Sequence, residues 1–259
     1  MKGDDVLKRI PVLFLAAAAM LCGCSDASSD ESSGSTEVTT DIPHGKVIIN
    51  TYPDEETSAD VTEYFTETAP AETVTEAVIP PPPGDDGQLV LIKDYIPDII
   101  LDIRYATANN FTGTVIYDSA DAYLCYGTVR KLSAVQSALR EQGLSLVIWD
   151  AYRSPEAQQK LWDVYPDPVY VADPKNGITS HSRGNTVDLG IVMANGGYVP
   201  VPSGFDEFSL LADRNYSDVS NDAAVNSQML EDIMTANGFK PYWGEWWHYS
   251  DTAEYSWHF

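Results

Sequence analysis

The sequence predicts an α+β domain, a mainly antiparallel sheet flanked by helices, in a single unit over residues 89–259. Three observations lead there. Short apolar runs of strand length are interspersed with longer stretches whose apolar residues recur every three or four positions. Glycines and a Ser-Pro pair punctuate those longer stretches where helices stop and start. The two kinds of element do not follow one another in the regular βα order of a doubly wound sheet.

Taken in order, 89–92 and 99–105 read as strands. Residues 129–142 place Leu132, Val135 and Leu139 on one helical face, and Gly143 ends the helix. The run 144–149 is a buried strand closed by Asp150. Ser154-Pro155-Glu156 starts a helix, with Ser as the cap and Pro at the first helical position, and it runs through Leu161 and Trp162 to about Tyr165. A further strand over 187–192 carries Asp188. A helix over 222–237 turns Met229, Ile233 and Met234 inward and stops at Gly238, and a last strand contains 246–249. No internal repeat is visible.

The residues ahead of this domain have a different texture. Lys2, Lys8 and Arg9 precede an apolar run of roughly a dozen residues, right for an export signal and short for a membrane span. It closes on Leu21-Cys22-Gly23-Cys24-Ser25, which resembles a bacterial lipobox. Residues 1–23 are therefore expected to be a lipoprotein signal, with Cys24 lipidated. The alternative is an ordinary cleaved signal with an incidental cysteine. On the lipobox reading the mature protein is exported and held by its N-terminal lipid on the outer face of the bacterial cell membrane. Cys125 is then the one remaining thiol, so no disulfide framework exists and the domain depends on its core, which about 170 residues can build.

Formal net charge is −24, and 25–88 supplies over half of the excess, with about fifteen acids against one base, Lys46. This Ser/Thr/Glu/Pro-rich segment cannot bury enough apolar surface to offset the entropy of ordering. Residues 24–88 are expected to be a disordered acidic stalk stiffened by Pro80-Pro81-Pro82-Pro83, with a short strand over 45–50. Nucleic acid is excluded as a partner, because phosphates repel so acidic a chain.

Two stretches carry the chemistry: Thr179-Ser180-His181-Ser182-Arg183-Gly184-Asn185-Thr186-Val187-Asp188 and Gly244-Glu245-Trp246-Trp247-His248-Tyr249. The chain has four His, at 44, 181, 248 and 258. His181, His248 and Asp188 offer the three protein groups of a catalytic zinc site, whose fourth position belongs to water. His181 and Asp188 are seven apart, an odd spacing that one uninterrupted strand would send to opposite faces. Gly184 lets the backbone turn between them. Glu245 lies three residues before His248, on one side of a helical turn or a bulged strand, so it can act on the water without being a ligand. Each piece alone has a plainer reading: a lone His is usually a structural hydrogen-bonder, and Trp246 and Trp247 are core or rim aromatics. Cys125 reads as core filling, and His258 as a surface or packing residue.

The set of motifs resembles the D-alanyl-D-alanine dipeptidase family of zinc peptidases, relatives of the bacterial D,D-carboxypeptidases. The likeness begins at Ile103-Arg104-Tyr105-Ala106-Thr107-Ala108-Asn109-Asn110-Phe111-Thr112-Gly113. It continues through Trp149-Asp150-Ala151-Tyr152-Arg153, then Ser180-His181-Ser182-Arg183-Gly184 with Asp188, and ends in Glu245-Trp246-Trp247-His248. The resemblance implies one zinc ion per chain held by His181, Asp188 and His248, with Glu245 as general base. It implies that Arg153 stabilises the oxyanion, where the alternative is a surface ion pair with Asp150 or Glu156. Asp206, in Gly204-Phe205-Asp206, stands where the family keeps an acid for the substrate's ammonium, although the Met-Gly expected before it is absent; an ordinary loop carboxylate is the other reading. Thr179 is a further substrate contact, and Tyr105, Asn109 and Asn110 either line the cleft or bond structurally.

The implied substrate is D-Ala-D-Ala or a similar D-dipeptide, used in wall turnover or scavenging. Arg153-Ser154-Pro155 departs from the dipeptidase pattern toward the carboxypeptidase branch, so trimming of peptidoglycan stem peptides stays open. A non-catalytic, zinc-stabilised wall-peptide binder is the third reading, and Glu245 argues against it, since a binder needs no base.

Overall fold

A computed structural model describes residues 78–256 and, upstream, the backbone of two strands, Val38–Ile42 (β1) and Gly45–Ile49 (β2), paired antiparallel. β2 matches the short strand expected at 45–50, and the hairpin falls within the segment expected to be a disordered stalk. The signal segment, Cys24, the remainder of the stalk before residue 78, and His258 lie outside the described residues.

Within 78–256 the class is α+β, as expected. A small antiparallel pair joins Leu89–Leu91 (β3) to Tyr123–Cys125 (β5). Ile92 ends the strand by opening a one-turn helix, Ile92–Tyr95 (α1). The main sheet has five strands in the spatial order Ile100–Leu101 (β4), Leu144–Asp150 (β6), Thr186–Met193 (β7), Glu245–Asp251 (β9) and Phe239–Tyr242 (β8). Only β4 and β6 run parallel; every other neighbour pair is antiparallel. Tyr126–Arg140 (α2) packs on β6, and Asn221–Ala236 (α4) packs on β8 and on α2.

The helices start and stop for local reasons. Ser154 Oγ accepts from the Ala157 amide and caps Pro155–Val164 (α3), as its sequence predicts. Ser220 caps α4 in the same way through Ala223. Gly143, at φ 72°, turns the chain out of α2 into β6. Leu132, Val135 and Leu139 are all fully buried, each worth about 1.5–3 kcal/mol over leaving it exposed. The domain body begins ahead of Leu89: the Tyr126 and Gly127 amides donate to the Gln88 and Asp86 carbonyls at 2.9 Å each.

One expected element is shorter than its sequence suggests. Of the strand expected over 99–105, only Ile100–Leu101 pairs with β6, and Arg104–Ala106 is a 3-10 turn. The Asp102 amide makes the last bond to the Ile148 carbonyl, 2.9 Å. Beyond that point β6 bulges at Trp149, so the ladder has nowhere to continue.

That bulge positions the chemistry. Ile148 pairs with Leu189, but Asp150 pairs with Asp188, so Trp149 is the extra residue. On the other side of β7, Asp188 pairs with His248 of β9. Asp150, Asp188 and His248 therefore form one row across three strands, on one face of the sheet. A second bulge lies in β9: Pro241 pairs with Tyr249 and Tyr242 with Glu245, so 246–248 have no counterparts on β8. Trp149 lies over Gly190, stacks on Phe205 with centroids 5.4 Å apart, and meets Trp246 edge-on. A Cβ at Gly190 would come within 2.4 Å of Trp149 Cη2. Gly190→Ala is expected to destabilise the domain by about 1–3 kcal/mol by forcing that ring to move. The check is urea unfolding, where the midpoint should fall with an unchanged slope; an unmoved midpoint would show that the contact is soft.

Candidate active site

His181 follows β6 and α3 in a short 3-10 turn, His181–Arg183, which Gly184 ends at φ 69°. This is the turn the sequence called for between His181 and Asp188. A side chain at Gly184 would also meet Leu89 Cδ2 at 2.7 Å, so the position needs glycine for space as well as for conformation. The Arg153 amide donates to the His181 carbonyl at 3.4 Å, tying the turn to the start of α3.

His181, Asp188 and His248 come together, with one potential ligand atom from each inside a sphere of mutual distances no greater than 4.8 Å. His181 Nδ1 lies 2.8 Å from the Ala151 carbonyl and must donate to it, which leaves Nε2 facing Asp188 Oδ2 at 3.3 Å. His248 Nδ1 lies 2.9 Å from Asp188 Oδ1. Yet Oδ1 is a buried oxygen without a hydrogen-bond partner among the described residues. The two groups are close without the direction a hydrogen bond requires. Burial alone would raise the Asp188 pKa, but His181 and His248 hold it well below the usual carboxylate range. Burial likewise works against charge on His181, and Asp188 with Asp150 outweighs it, lifting the imidazole to about 9. Both shifts say that the cluster favours positive charge at its centre. Two nitrogens and a carboxylate oxygen converging there suit a zinc-type cation.

Glu245 opens β9, with Oε2 3.5 Å from His248 Nδ1. The bulge brings residues three apart to the same side, as the sequence reading required of a strand. Burial, then Asp188, raises the Glu245 pKa, with His248, His181 and Arg153 opposing. A carboxylate so placed is a stronger proton acceptor than a free one.

A cavity of about 430 Å³ opens over this cluster. His181, Asp188, Glu245 and His248 line it, together with Arg153, Asp206, Thr179 and Tyr105. Arg153 is nearly buried. It is ion-paired to Asp150, and also bonds Tyr117 and Gln158 at 3.3 and 3.0 Å. The pairing with Asp150 that the sequence offered as an alternative is thus present, but inside the protein and at the cavity wall. Each guanidinium nitrogen gives one N–H to these partners, so two of its roughly five donors remain for the cavity. Asp206 has φ 55°, the one positive value at a non-glycine among the described residues. Its Oδ2 accepts from Tyr105 at 2.8 Å. Burial, then Asp188, pushes its carboxyl up to about 8 against the Tyr105 bond. Thr179 Oγ1 shares a 2.9 Å bond with Ser182 Oγ.

Of the other residues singled out, Tyr105 lines the cavity, but Asn109 and Asn110 do not. Asn110 bonds the Thr107 and Thr114 carbonyls and shapes its own loop. Trp246 and Trp247 are fully buried core, and the Cys125 thiol is buried, with burial and then Asp251 pushing it to about 11. Asp150 was read from sequence only as a strand end and an ion-pair partner. It is fully buried, accepts from Tyr117 at 2.5 Å, and lies 3.6 Å from His181 Nδ1. Its place in the Trp-Asp-Ala-Tyr-Arg motif was the available signal; Tyr117 had none. Tyr170, Phe208 and Tyr242 also line the cavity without any local pattern to announce them.

Comparison with known proteins agrees with this geometry. Residues 85–256 match the family model described as D-ala-D-ala dipeptidase, peptidase M15. The chain is 37% identical over 166 residues to the D-alanyl-D-alanine dipeptidase of Escherichia coli (strain K12), covering 64% of this chain and 86% of that protein. It is 32% identical over 193 residues to the D-alanyl-D-alanine dipeptidase of Enterococcus faecalis (strain ATCC 700802 / V583), covering 63% and 91%. It is 30% identical over 192 residues to the enzyme of that name from Streptomyces coelicolor (strain ATCC BAA-471 / A3(2) / M145), covering 63% and 91%. A match across almost the whole described body, shared with named peptidases over most of their length, makes this chain a hydrolytic member of the D-Ala-D-Ala dipeptidase family.

Proposed function

We propose that the protein is a zinc-dependent dipeptidase that hydrolyses D-Ala-D-Ala or a similar small D-dipeptide. The observation that carries the reading is the convergence of His181, His248 and Asp188, whose Oδ1 is orphaned, beside Glu245. His181, Asp188 and His248 would hold one ion per chain. When bound, such an ion lowers the pKa of a coordinated water to about 7 and polarises a carbonyl.

The remaining work belongs to the protein's own groups. Glu245 accepts a proton from the attacking water and delivers it to the leaving amine. Arg153 turns its two spare N–H groups toward the oxygen on which negative charge develops, and Asp150 and Gln158 fix the fork in that orientation. Asp206 pairs with the substrate's free ammonium, and Thr179 contributes a further polar contact. The sequence-based location, export with a lipid anchor at Cys24, puts this activity on the outer face of the membrane. Such a location suits turnover or scavenging of wall-derived peptides.

The test is metal analysis combined with hydrolysis of D-Ala-D-Ala and of a stem pentapeptide, with and without chelator. Chelator-sensitive release of D-Ala from the dipeptide supports the reading; cleavage of the pentapeptide alone moves it to D,D-carboxypeptidase, and cleavage of neither removes it. Asp206→Asn is expected to raise KM for D-Ala-D-Ala by about 10–100-fold, the range for losing a charged hydrogen bond of about 1.5–3 kcal/mol, with a smaller change in kcat. The sign with pH follows from its raised pKa. The substrate's own ammonium is lost above about 8; on the acid side of that, KM should improve as pH rises and the Asp206 carboxyl, whose charged form burial disfavours, ionises. The Asn variant should lose that dependence, and KM profiles across pH settle the matter.

A further inference from the structure

We infer that Arg214 is a positioning residue, holding the bulged β8–β9 hairpin in the register that sets Glu245 beside His248. Arg214 lies on the loop after the 3-10 turn Leu210–Ala212, outside the cavity lining, and is only 7% exposed. Its Nε donates to the Tyr242 carbonyl at 2.8 Å and its Nη2 to the His248 carbonyl at 3.1 Å. Its own amide donates to the Trp243 carbonyl at 3.0 Å. One residue thus satisfies three carbonyl oxygens of a single hairpin.

The hairpin needs this because its ladder is broken at the functional residues. Residues 246–248 of β9 face no partner on β8, and the last β8 residue before the bulge, Pro241, has no N–H to donate. Arg214 supplies from outside the sheet the donors that the edge strand lacks. It is itself fixed. Nη1 donates to Glu231 Oε2 of α4 at 2.9 Å and to the Tyr216 and Tyr249 hydroxyls at 3.2 and 3.1 Å. Its guanidinium carbon stands 4.5 Å from the Tyr249 ring centroid. The fork therefore braces the backbone of His248 against a helix. Lysine, with its donors on a single nitrogen, cannot span Tyr242 and His248 together.

The inference rests on His248 being a metal ligand, and its test separates the two. Zinc affinity is measured by competition with a chromophoric chelator for the wild type, Arg214→Lys, Arg214→Met and Leu139→Ala. The last is a core change in α2 that lowers stability without touching the hairpin. The visible absorption of the cobalt(II)-loaded proteins and kcat and KM for D-Ala-D-Ala are recorded alongside. Arg214→Lys is expected to weaken zinc binding and lower kcat by about 10–100-fold, the range for losing a partner that orients a ligand, with KM within about twofold. Its cobalt spectrum should shift. Leu139→Ala should lose thermal stability while keeping wild-type affinity and spectrum. Arg214→Met should exceed the Lys variant; if it does not fold, the Lys variant decides alone. Wild-type affinity, spectrum and kcat in Arg214→Lys overturn the inference, as does an equal loss of affinity in Leu139→Ala. A wild-type protein that binds no zinc overturns the functional reading instead.

Discussion

Glu245→Ala is expected to lower kcat for D-Ala-D-Ala by about 10²–10⁴-fold, the contribution typical of a positioned general base, while zinc content stays at one ion per chain. Two features set the size. Glu245 is held near the His248 ring by the bulge rather than by a flexible loop. Its proton affinity is raised by burial and then by Asp188. The group is not needed to hold the ion, so metal analysis should read as wild type. Glu245→Gln keeps the shape and removes the base, and should lose as much. Because the group must be ionised to act, wild-type kcat should fall on the acid side, and the residual rate of the Ala variant should lack that limb. An Ala variant that turns over at the wild-type rate would sink the mechanism.

Removal of the ion is the second large effect. Chelator should abolish hydrolysis and lower the thermal midpoint, and added zinc should restore both. Binding to the folded state alone contributes about 2.7 kcal/mol when free zinc is a hundredfold above Kd. At about 2–4 °C per kcal/mol for a domain of this size, the midpoint should move by roughly 5–10 °C. Asp188→Asn provides the internal control. It keeps the volume but removes the negative charge that lies beside both imidazoles. The variant should be inactive, and its midpoint should not respond to chelator or to zinc. Scanning calorimetry of both proteins with and without chelator decides it; a midpoint that shifts equally in the two would mean that zinc binds elsewhere.

Much of this site was legible because its signals are local or chemical. A scarce residue type, His, fell in two motifs with a carboxylate seven or three residues away. Gly184 marked a turn by its lack of a side chain, and Ser154-Pro155 marked a helix start by its cap chemistry. What stayed hidden depends on pairing across the chain. The bulge at Trp149 cannot be read from 144–150, since every residue of that strand is buried and an extra one leaves the apolar pattern intact. The row formed by Asp150, Asp188 and His248 exists only through that bulge. The strand expected over 99–105 fails for the same reason, because its partner stops offering a ladder at Ile148. Arg214 is one arginine in an irregular loop, and nothing near it in sequence marks the hairpin it holds.

The row across the sheet also joins residues that are far apart in the chain. Asp188 and His248 are joined through strand register yet separated by about sixty residues of chain, and such distant pairings form late because loop closure must come first. A chain with β6 and β7 paired but β9 undocked would offer one imidazole and one carboxylate of the three groups. A cation held by all three groups would therefore need β9 docked on β7.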